Sequence, residues 1–248
     1  MIKIKTNEQI ALMRESGRLT RNVLDLIARE IKEGMSTASL DKIAYDYIMS
    51  CGAVPSFLGY GGYPASTCIS IDDEVVHGIP SKDRIIKSGQ IVSVDVGVIY
   101  NGWQGDAART FMIGEVSEEK KKLVKVTEEC FFKGIENIRD GSPIGDIGYG
   151  VQSHAEENGF SVVRALVGHG IGKEMHEDPS VPNFGKKGTG IRLKKGMVIA
   201  VEPMINAGDF KVKFMPDGWT VKTIDGKPSA HYENTIAITE NGVEILTL

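Results

Sequence analysis

Between Ile91 and Asp106 the chain reads Ile-Val-Ser-Val-Asp-Val-Gly-Val-Ile-Tyr-Asn-Gly-Trp-Gln-Gly-Asp, and few local structures satisfy that pattern. Val92, Val94, Val96 and Val98 recur with the period of a strand and fall on one face, leaving Ser93, Asp95 and Gly97 on the other. Asn101-Gly102 is the preferred pair for a two-residue type I′ hairpin turn. With that turn, Tyr100 pairs with Trp103, and counting outward sets Gly97 opposite Asp106. Asp95 and Asp106 then become diagonal neighbours on one face, their Cβ atoms about 7–8 Å apart or less. Their carboxylates can converge over Gly97, which has no side chain to block them. Two converging anions repel, and one would shift its pKa upward unless a positive charge lay between them. A divalent cation is the simple answer, since carboxylate oxygens suit Mg, Mn, Fe and Co. Two strand aspartates facing water are the alternative, and the pair alone does not choose.

The rest of the chain reads as helix, helix, strands, twice over. Thr6 and Gln9 have capping-box spacing, and Ile10, Met13, Thr20, Val23, Leu24, Ile27 and Ile31 form a helical stripe that Gly34 stops. A second helix carries Leu40, Ile43, Ala44, Tyr47, Ile48 and Cys51 on one face. A loop rich in Gly, Pro and Tyr follows over 53–65, then strand-like runs at 67–71 and 91–99. The order then repeats. A long helix runs from about Ser117 to Arg139, and Ser142-Pro143 supplies an N-cap and first-turn proline for another that reaches about Asn158. Strands follow at 161–167, 197–205 and 231–247, and the junctions Gly34-Met35-Ser36 and Gly141-Ser142 look alike. The expectation is one α+β domain spanning 1–248, duplicated internally as half-repeats of about 7–112 and 117–248. Helices should cover one side of an antiparallel sheet and leave the other face for chemistry.

Several function classes are excluded by composition. The net charge is −4 with basic residues dispersed, and Lys120, Lys121 and Lys122 are balanced by Glu118, Glu119, Glu128 and Glu129, so no nucleic-acid surface is expected. No run approaches ~18 apolar residues, which argues against a membrane span. Met1 to Asn7 is polar and basic without an apolar run behind it, so no signal peptide is expected. Cys51, Cys68 and Cys130 lack CxxC spacing, which argues against a disulfide framework and fits a reducing cytosol.

Other residues suit chemistry by their context. Gly168-His169-Gly170-Ile171-Gly172 sets a histidine among glycines after an apolar strand, where backbone and imidazole can approach a ligand closely. His176 follows in Met175-His176-Glu177-Asp178-Pro179. Val201-Glu202-Pro203 ends an apolar strand on a carboxylate, and Glu233 lies on another strand on the face opposite Tyr232 and Ile236. His77 sits between an apolar strand and a turn in Val75-Val76-His77-Gly78-Ile79-Pro80. Taken singly, each also suits a surface or structural place, and His154 and His231 are read as structural or exposed.

Taken together, Asp95, Asp106, Gly168-His169-Gly-Ile-Gly, His176-Glu-Asp-Pro179, Val201-Glu202-Pro203 and Tyr232-Glu233-Asn-Thr235 resemble, in order and spacing, the type I methionine aminopeptidases. These have the pita-bread fold, a pseudo-two-fold pair of αβ halves, and the resemblance spans nearly the whole chain. It implies a metal-dependent aminopeptidase that removes the initiator methionine from nascent proteins and peptides with a small second residue. It also implies two divalent ions, cobalt, manganese or iron, bridged by a water or hydroxide that attacks the scissile carbonyl. Asp95 would serve one ion, His169 and Glu202 mainly the other, and Asp106 and Glu233 both. By the same resemblance His176 donates to the carbonyl oxygen, His77 contacts the scissile amide nitrogen, and Glu202 shuttles a proton towards the departing amine.

The family's pocket-lining positions are matched by Tyr60, Tyr63, Cys68 and Trp219, with Phe57 and Met175 beside them. Three positions depart from its best-known members: Phe57 stands where cysteine is common, Met175 where phenylalanine is common, and Asn234 where histidine often follows the last glutamate. The first two leave the pocket's shape open. The implied partner is the N-terminus of a nascent polypeptide at the ribosome, met by a cytoplasmic monomer that binds neither nucleic acid nor membrane. The competing readings are a pita-bread peptidase for Xaa-Pro bonds, which usually carries an extra N-terminal domain, and a non-catalytic pita-bread binding protein, which typically loses ligands.

Overall fold

The capping box forms as its spacing predicts: in the computed structural model, which describes residues 1–248, the Gln9 amide donates to Thr6 Oγ1 at 3.3 Å and the Thr6 amide to Gln9 Oε1 at 3.0 Å. It opens α1 (Asn7–Glu30), followed by α2 (Thr37–Ser50), β1 (Val54–Pro55), β2 (Thr67–Ile71), β3 (Glu74–Val76) and the long pair β4 (Ile91–Tyr100) and β5 (Trp103–Met112). The second half begins with α3 (Glu118–Ile135), α4 (Gly145–Glu157), β6 (Ser161–Val162), β7 (Gly168–Gly170), β8 (Glu177–Val181) and β9 (Val198–Val201). It ends with β10 (Met204–Asn206), β11 (Val212–Phe214), β12 (Val221–Thr223), β13 (Ser229–His231), β14 (Glu233–Thr239) and β15 (Gly242–Ile245).

Nine strands form a curled antiparallel sheet in the order β1-β4-β5-β14-β9-β7-β8, with β2 also on β4 and β15 also on β14. The hairpin register is the one its turn dictates: Tyr100 pairs with Trp103 and Gly97 with Asp106, and Asn101 and Gly102 take φ of 50° and 76°. Val92, Val94, Val96 and Val98 are buried under α1 and α2 with Val23, Ile27, Leu40 and Ile48. In the second half Phe131, Ile147, Ile199, Val201 and Ile236 form the matching cluster. Burying each such side chain contributes about 1.5–3 kcal/mol, so the helix-covered face holds the sheet and the opposite face is left for other work. Close approach has a specific cause. A Cβ at Gly105 would lie 2.8 Å from both the Gly17 amide nitrogen and the Ser16 carbonyl carbon, so the bare backbone of Gly105 lets α1 lie directly on β5.

The duplication is geometric as well as compositional. Ser36 bridges to Ile85 and Pro143 to Arg192, Gly34 and Gly141 take φ of 87° and 85°, and Gly89 and Gly196 take 84° and 88°. Each member of these pairs stands 107 positions from its counterpart, and so do Asp95 and Glu202.

Three expectations are corrected. Ser142 does not cap α4, which begins at Gly145; its hydroxyl accepts from the Arg139 amide at 3.1 Å, because the Pro143–Arg192 bridge holds these residues extended. The strand expected over 197–205 breaks at Glu202-Pro203, where proline has no amide to donate, and 161–167 is extended and paired only at its start. The helix expected to Arg139 ends at Ile135.

Candidate metal centre

Register places the acidic residues. Cys68 pairs with Asp95, Asp95 with Ala108, and Ala108 with Glu233, which sets four residues in one row across β2, β4, β5 and β14. Asp106 lies two residues before Ala108 on the same face. Glu202 follows β9 at once, and Val201 pairs with Asn234 beside Glu233. His169 sits on β7, the next strand outward. Five adjacent strands, β4, β5, β14, β9 and β7, therefore bring one group each to one patch: Asp95, Asp106, Glu233, Glu202 and His169.

His169 Nε2 stands 3.7 Å from Asp106 Oδ2 and 3.8 Å from Glu202 Oε1. Its Nδ1 lies 2.9 Å from the Gly170 carbonyl oxygen, which can only accept, so Nδ1 carries the proton and Nε2 presents a lone pair. Burial holds the ring neutral, lowering its pKa to about 4. The surrounding acids are driven the other way. Burial first, and the neighbouring carboxylates second, raise Asp95, Glu202 and Glu233 well above the usual range, and burial pushes Asp106 up to about 7.

The His169 lone pair thus faces carboxylate oxygens at spacings too long for hydrogen bonds. Asp95 Oδ1, Asp106 Oδ1 and Glu233 Oε1 are enclosed without any partner. Orphaned buried oxygens of this kind are costly, and a cation removes the cost for all of them together. Donor atoms of Asp106, His169 and Glu233 lie within 4.8 Å of one another, as do those of Asp95, His231 and Glu233. Carboxylates with imidazole suit divalent ions of borderline hardness. Backbone ties keep the acids in place: Thr235 Oγ1 bonds both the Asp106 amide and carbonyl at 3.0 and 2.9 Å, Arg109 donates to the Glu233 carbonyl at 2.6 Å, and Asn183 donates to the Glu202 carbonyl at 3.0 Å.

His231 was expected to be structural or exposed, and the exposed reading is overturned. It is 2% exposed, and its Nε2, also unpartnered, lies 3.8 Å from Glu233 Oε2 and 4.0 Å from Glu202 Oε2. The signal was present in the sequence: His231 and Glu233 are two apart on extended chain and so share a face. His154, by contrast, pairs with Glu129 at 2.9 Å on the helical side, remote from the patch.

Beside the acids lies a cavity of about 120 Å³ lined by Phe57, Tyr60, Tyr63, Cys68, His77, His176 and Trp219 together with Asp95, Asp106, His169, Glu202 and Glu233. Tyr63 donates through its hydroxyl to the Thr67 and Gly78 carbonyls, both at 3.1 Å, and packs edge-on against Trp219 at 5.0 Å. That arrangement ties the Gly-rich loop to the turn carrying His77, which sits at φ 60°. His176 Nδ1 lies 2.8 Å from the Tyr60 hydroxyl, and its ring centroid is 4.2 Å from that of His169.

Two expectations about this wall are revised. Met175 does not line the cavity; it is 1% exposed and packs behind it. The space over Gly97 is not where the carboxylates meet, because a Cβ there would lie 2.7 Å from Met175 Cε, 2.7 Å from Ser56 Cβ and 2.9 Å from Phe57 Cε1. Asn234 faces the helix side, accepting from Arg109 at 2.7 Å and Thr247 at 2.9 Å, and so bonds the same arginine that holds the Glu233 carbonyl. A larger open groove of about 740 Å³, near Phe132 and Val243, gathers no comparable group of ligands.

A curled antiparallel sheet, roofed by helices on one side and carrying buried carboxylates on the other, is the architecture of the pita-bread class. The chain belongs to metallopeptidase family M24, whose model matches residues 11–240. It is 54% identical to a methionine aminopeptidase of Clostridium acetobutylicum over 248 residues, covering 100% of this chain and 99% of that one. It is 47% identical to methionine aminopeptidase 1 of Bacillus subtilis over 247 residues, with 100% and 99% covered. The crystal structure of methionine aminopeptidase from Rickettsia prowazekii superposes with a TM-score of 0.98 at 46% identity, over 100% of both chains. The prolidase from Pyrococcus horikoshii shares the fold, at TM-score 0.75 and 24% identity, over 99% of this chain and 63% of its own.

Proposed function

We infer that the protein is a metal-dependent aminopeptidase that removes N-terminal methionine from peptides and nascent polypeptides whose second residue is small. The observation that carries this reading is the row of orphaned buried carboxylates opening into a cavity of about 120 Å³ walled by Phe57, Tyr63 and Trp219. Full-length identity to methionine aminopeptidases supports the same substrate.

Asp95, Asp106, His169, Glu202 and Glu233 would hold two divalent ions, cobalt, manganese or iron. Bound there, such ions supply Lewis acidity, acidifying a water and polarising the scissile carbonyl. The chain's own residues do the rest. With the Tyr60 hydroxyl donating to His176 Nδ1, the neutral imidazole carries its proton on Nε2 and donates it to the carbonyl oxygen as charge builds there. His77, held neutral by burial with its pKa lowered to about 4, contacts the scissile amide nitrogen. Glu202 takes a proton from the attacking water and passes it towards the amine. Phe57, Tyr60, Tyr63, Cys68 and Trp219 enclose the methionine side chain.

We read residues 1–248 as a single catalytic domain acting on nascent chains at the ribosome, as a cytoplasmic monomer. No helix is long and apolar enough to cross a membrane. The test is cleavage of Met-Ala-Ser and Met-Pro peptides against peptides with bulky second residues, with cobalt or manganese added and then chelated. Release of methionine from the small-residue peptides alone, lost on chelation, is expected; full activity in a protein shown by metal analysis to be empty would sink the reading.

A further inference from the structure

We propose that His231 is a sixth protein ligand of the metal centre, serving the ion on the Asp95 side. The proposal rests on the reading of the acidic patch as a dinuclear metal site and adds a residue to it. His231 ends β13, where the chain passes from the small sheet β13-β10-β6 into β14 of the main sheet. Its backbone is pinned there by one hydroxyl: Thr110 Oγ1 accepts from the His231 amide at 3.0 Å and donates to its carbonyl at 2.8 Å. The imidazole is buried, and Nε2 has no hydrogen-bond partner. The atoms it faces are carboxylate oxygens, Glu233 Oε2 at 3.8 Å and Glu202 Oε2 at 4.0 Å.

Those distances decide between two readings. A structural histidine paired to a carboxylate would sit at about 2.7–3.2 Å. Two donors about one ion, each about 2.1 Å from it, stand roughly 3.0–4.2 Å apart. His231 falls in the second range, and its nitrogen groups with Asp95 and Glu233 just as that of His169 groups with Asp106 and Glu233. Each half of the site then holds one imidazole, with Glu233 common to both. An added nitrogen donor makes the Asp95 side more selective for iron or cobalt over magnesium.

The test uses cobalt(II) on the full chain, with metal content, calorimetry and paramagnetic proton spectra as readouts. The wild type should bind two ions, and His231→Gln, which keeps a hydrogen-bonding side chain, should weaken one of them by about 10- to 100-fold while leaving the other near its wild-type affinity. His169→Asn should weaken the opposite one. The cobalt-loaded wild type should show strongly shifted ring signals from two histidines, a measurement that needs no variant to fold. Two ions at unchanged affinity in His231→Gln, or shifted signals from one histidine only, would overturn the proposal. A wild type that binds no cobalt would overturn the metal reading itself, and the proposal with it.

Discussion

Asp95 and Glu233 lie in a single row of the sheet with Ala108 alone between them, so the gap separating a half-buried acid from a buried one is kept open by one methyl group. Ala108 is fully buried, and a branched side chain at that position would project into the space the ions require. Ala108→Val should therefore lower metal content and reduce peptide cleavage at least about 10-fold, for an overpacking cost of about 1–3 kcal/mol that leaves the fold intact by circular dichroism. A folded Ala108→Val variant with full metal content and full turnover would show that the row is not the cradle.

The acids also link metal binding to pH. In the metal-free chain Asp95, Asp106, Glu202 and Glu233 all have raised pKa values, Asp106 at about 7. A raised carboxyl keeps a proton in the folded state that the unfolded chain has released. Its stabilisation is complete below the ordinary carboxylate range and is lost as pH rises through the folded value. His77, His169 and His231, lowered to about 4, 4 and 3, act oppositely, but only below the ordinary imidazole value of 6.5. Above it the carboxyl trend stands alone. Thermal midpoints of the chelated protein should fall from about pH 6.5 to about pH 8, added manganese should raise them most at the upper end, and Asp106→Asn should flatten the slope. Equal midpoints across that range for chelated wild-type protein would contradict this account.

On the proposed mechanism His176 donates to the carbonyl oxygen, and the Tyr60 hydroxyl, 2.8 Å from its Nδ1, fixes the tautomer that can do so. His176→Ala should reduce kcat by roughly 10²–10⁴-fold with metal content near wild type, since general acid catalysis is worth about that much. Tyr60→Phe removes the 2.8 Å bond that sets the tautomer and should give a smaller fall in kcat together with a changed pH profile. Because Tyr60 is 43% exposed, its loss should leave the thermal midpoint nearly unmoved. Loss of metal from His176→Ala would reassign that residue as a ligand.

How far the site could be read from the sequence depended on how local each relationship is. Asp95 and Asp106 were legible because a two-residue turn and a period-2 strand leave the register no freedom. The convergence of Glu233, Glu202 and His169 on them was not, since it depends on the order β5-β14-β9-β7, which joins strands far apart in the chain; only the family resemblance supplied it. His231 was overlooked although its spacing from Glu233 placed it on the same face, because nothing local distinguishes a buried strand histidine from an exposed one. The start of α4 was misplaced for a similar reason: Ser142-Pro143 is a strong local cap signal, overridden by a bridge to Arg192 nearly fifty positions away.

Gly97 is the position where pocket shape and sheet meet. It lies opposite Asp106, and the space above its Cα is taken by Met175, Ser56 and Phe57, of which Phe57 also walls the cavity. A methyl group there would meet Met175 Cε and Ser56 Cβ at 2.7 Å and Phe57 Cε1 at 2.9 Å, closer than carbon atoms tolerate. Met175 can yield because its terminal methyl ends a flexible chain, whereas the Phe57 ring must turn as a body. Gly97→Ala should therefore destabilise the fold by about 1–3 kcal/mol, raise KM for methionyl peptides more than it lowers kcat, and leave metal content unchanged. Met175→Ala should cost less in the Gly97→Ala chain than in the wild type, because the added methyl occupies part of the space the methionine vacates. A Gly97→Ala variant with wild-type KM and wild-type thermal midpoint would show that the wall is looser than these contacts indicate.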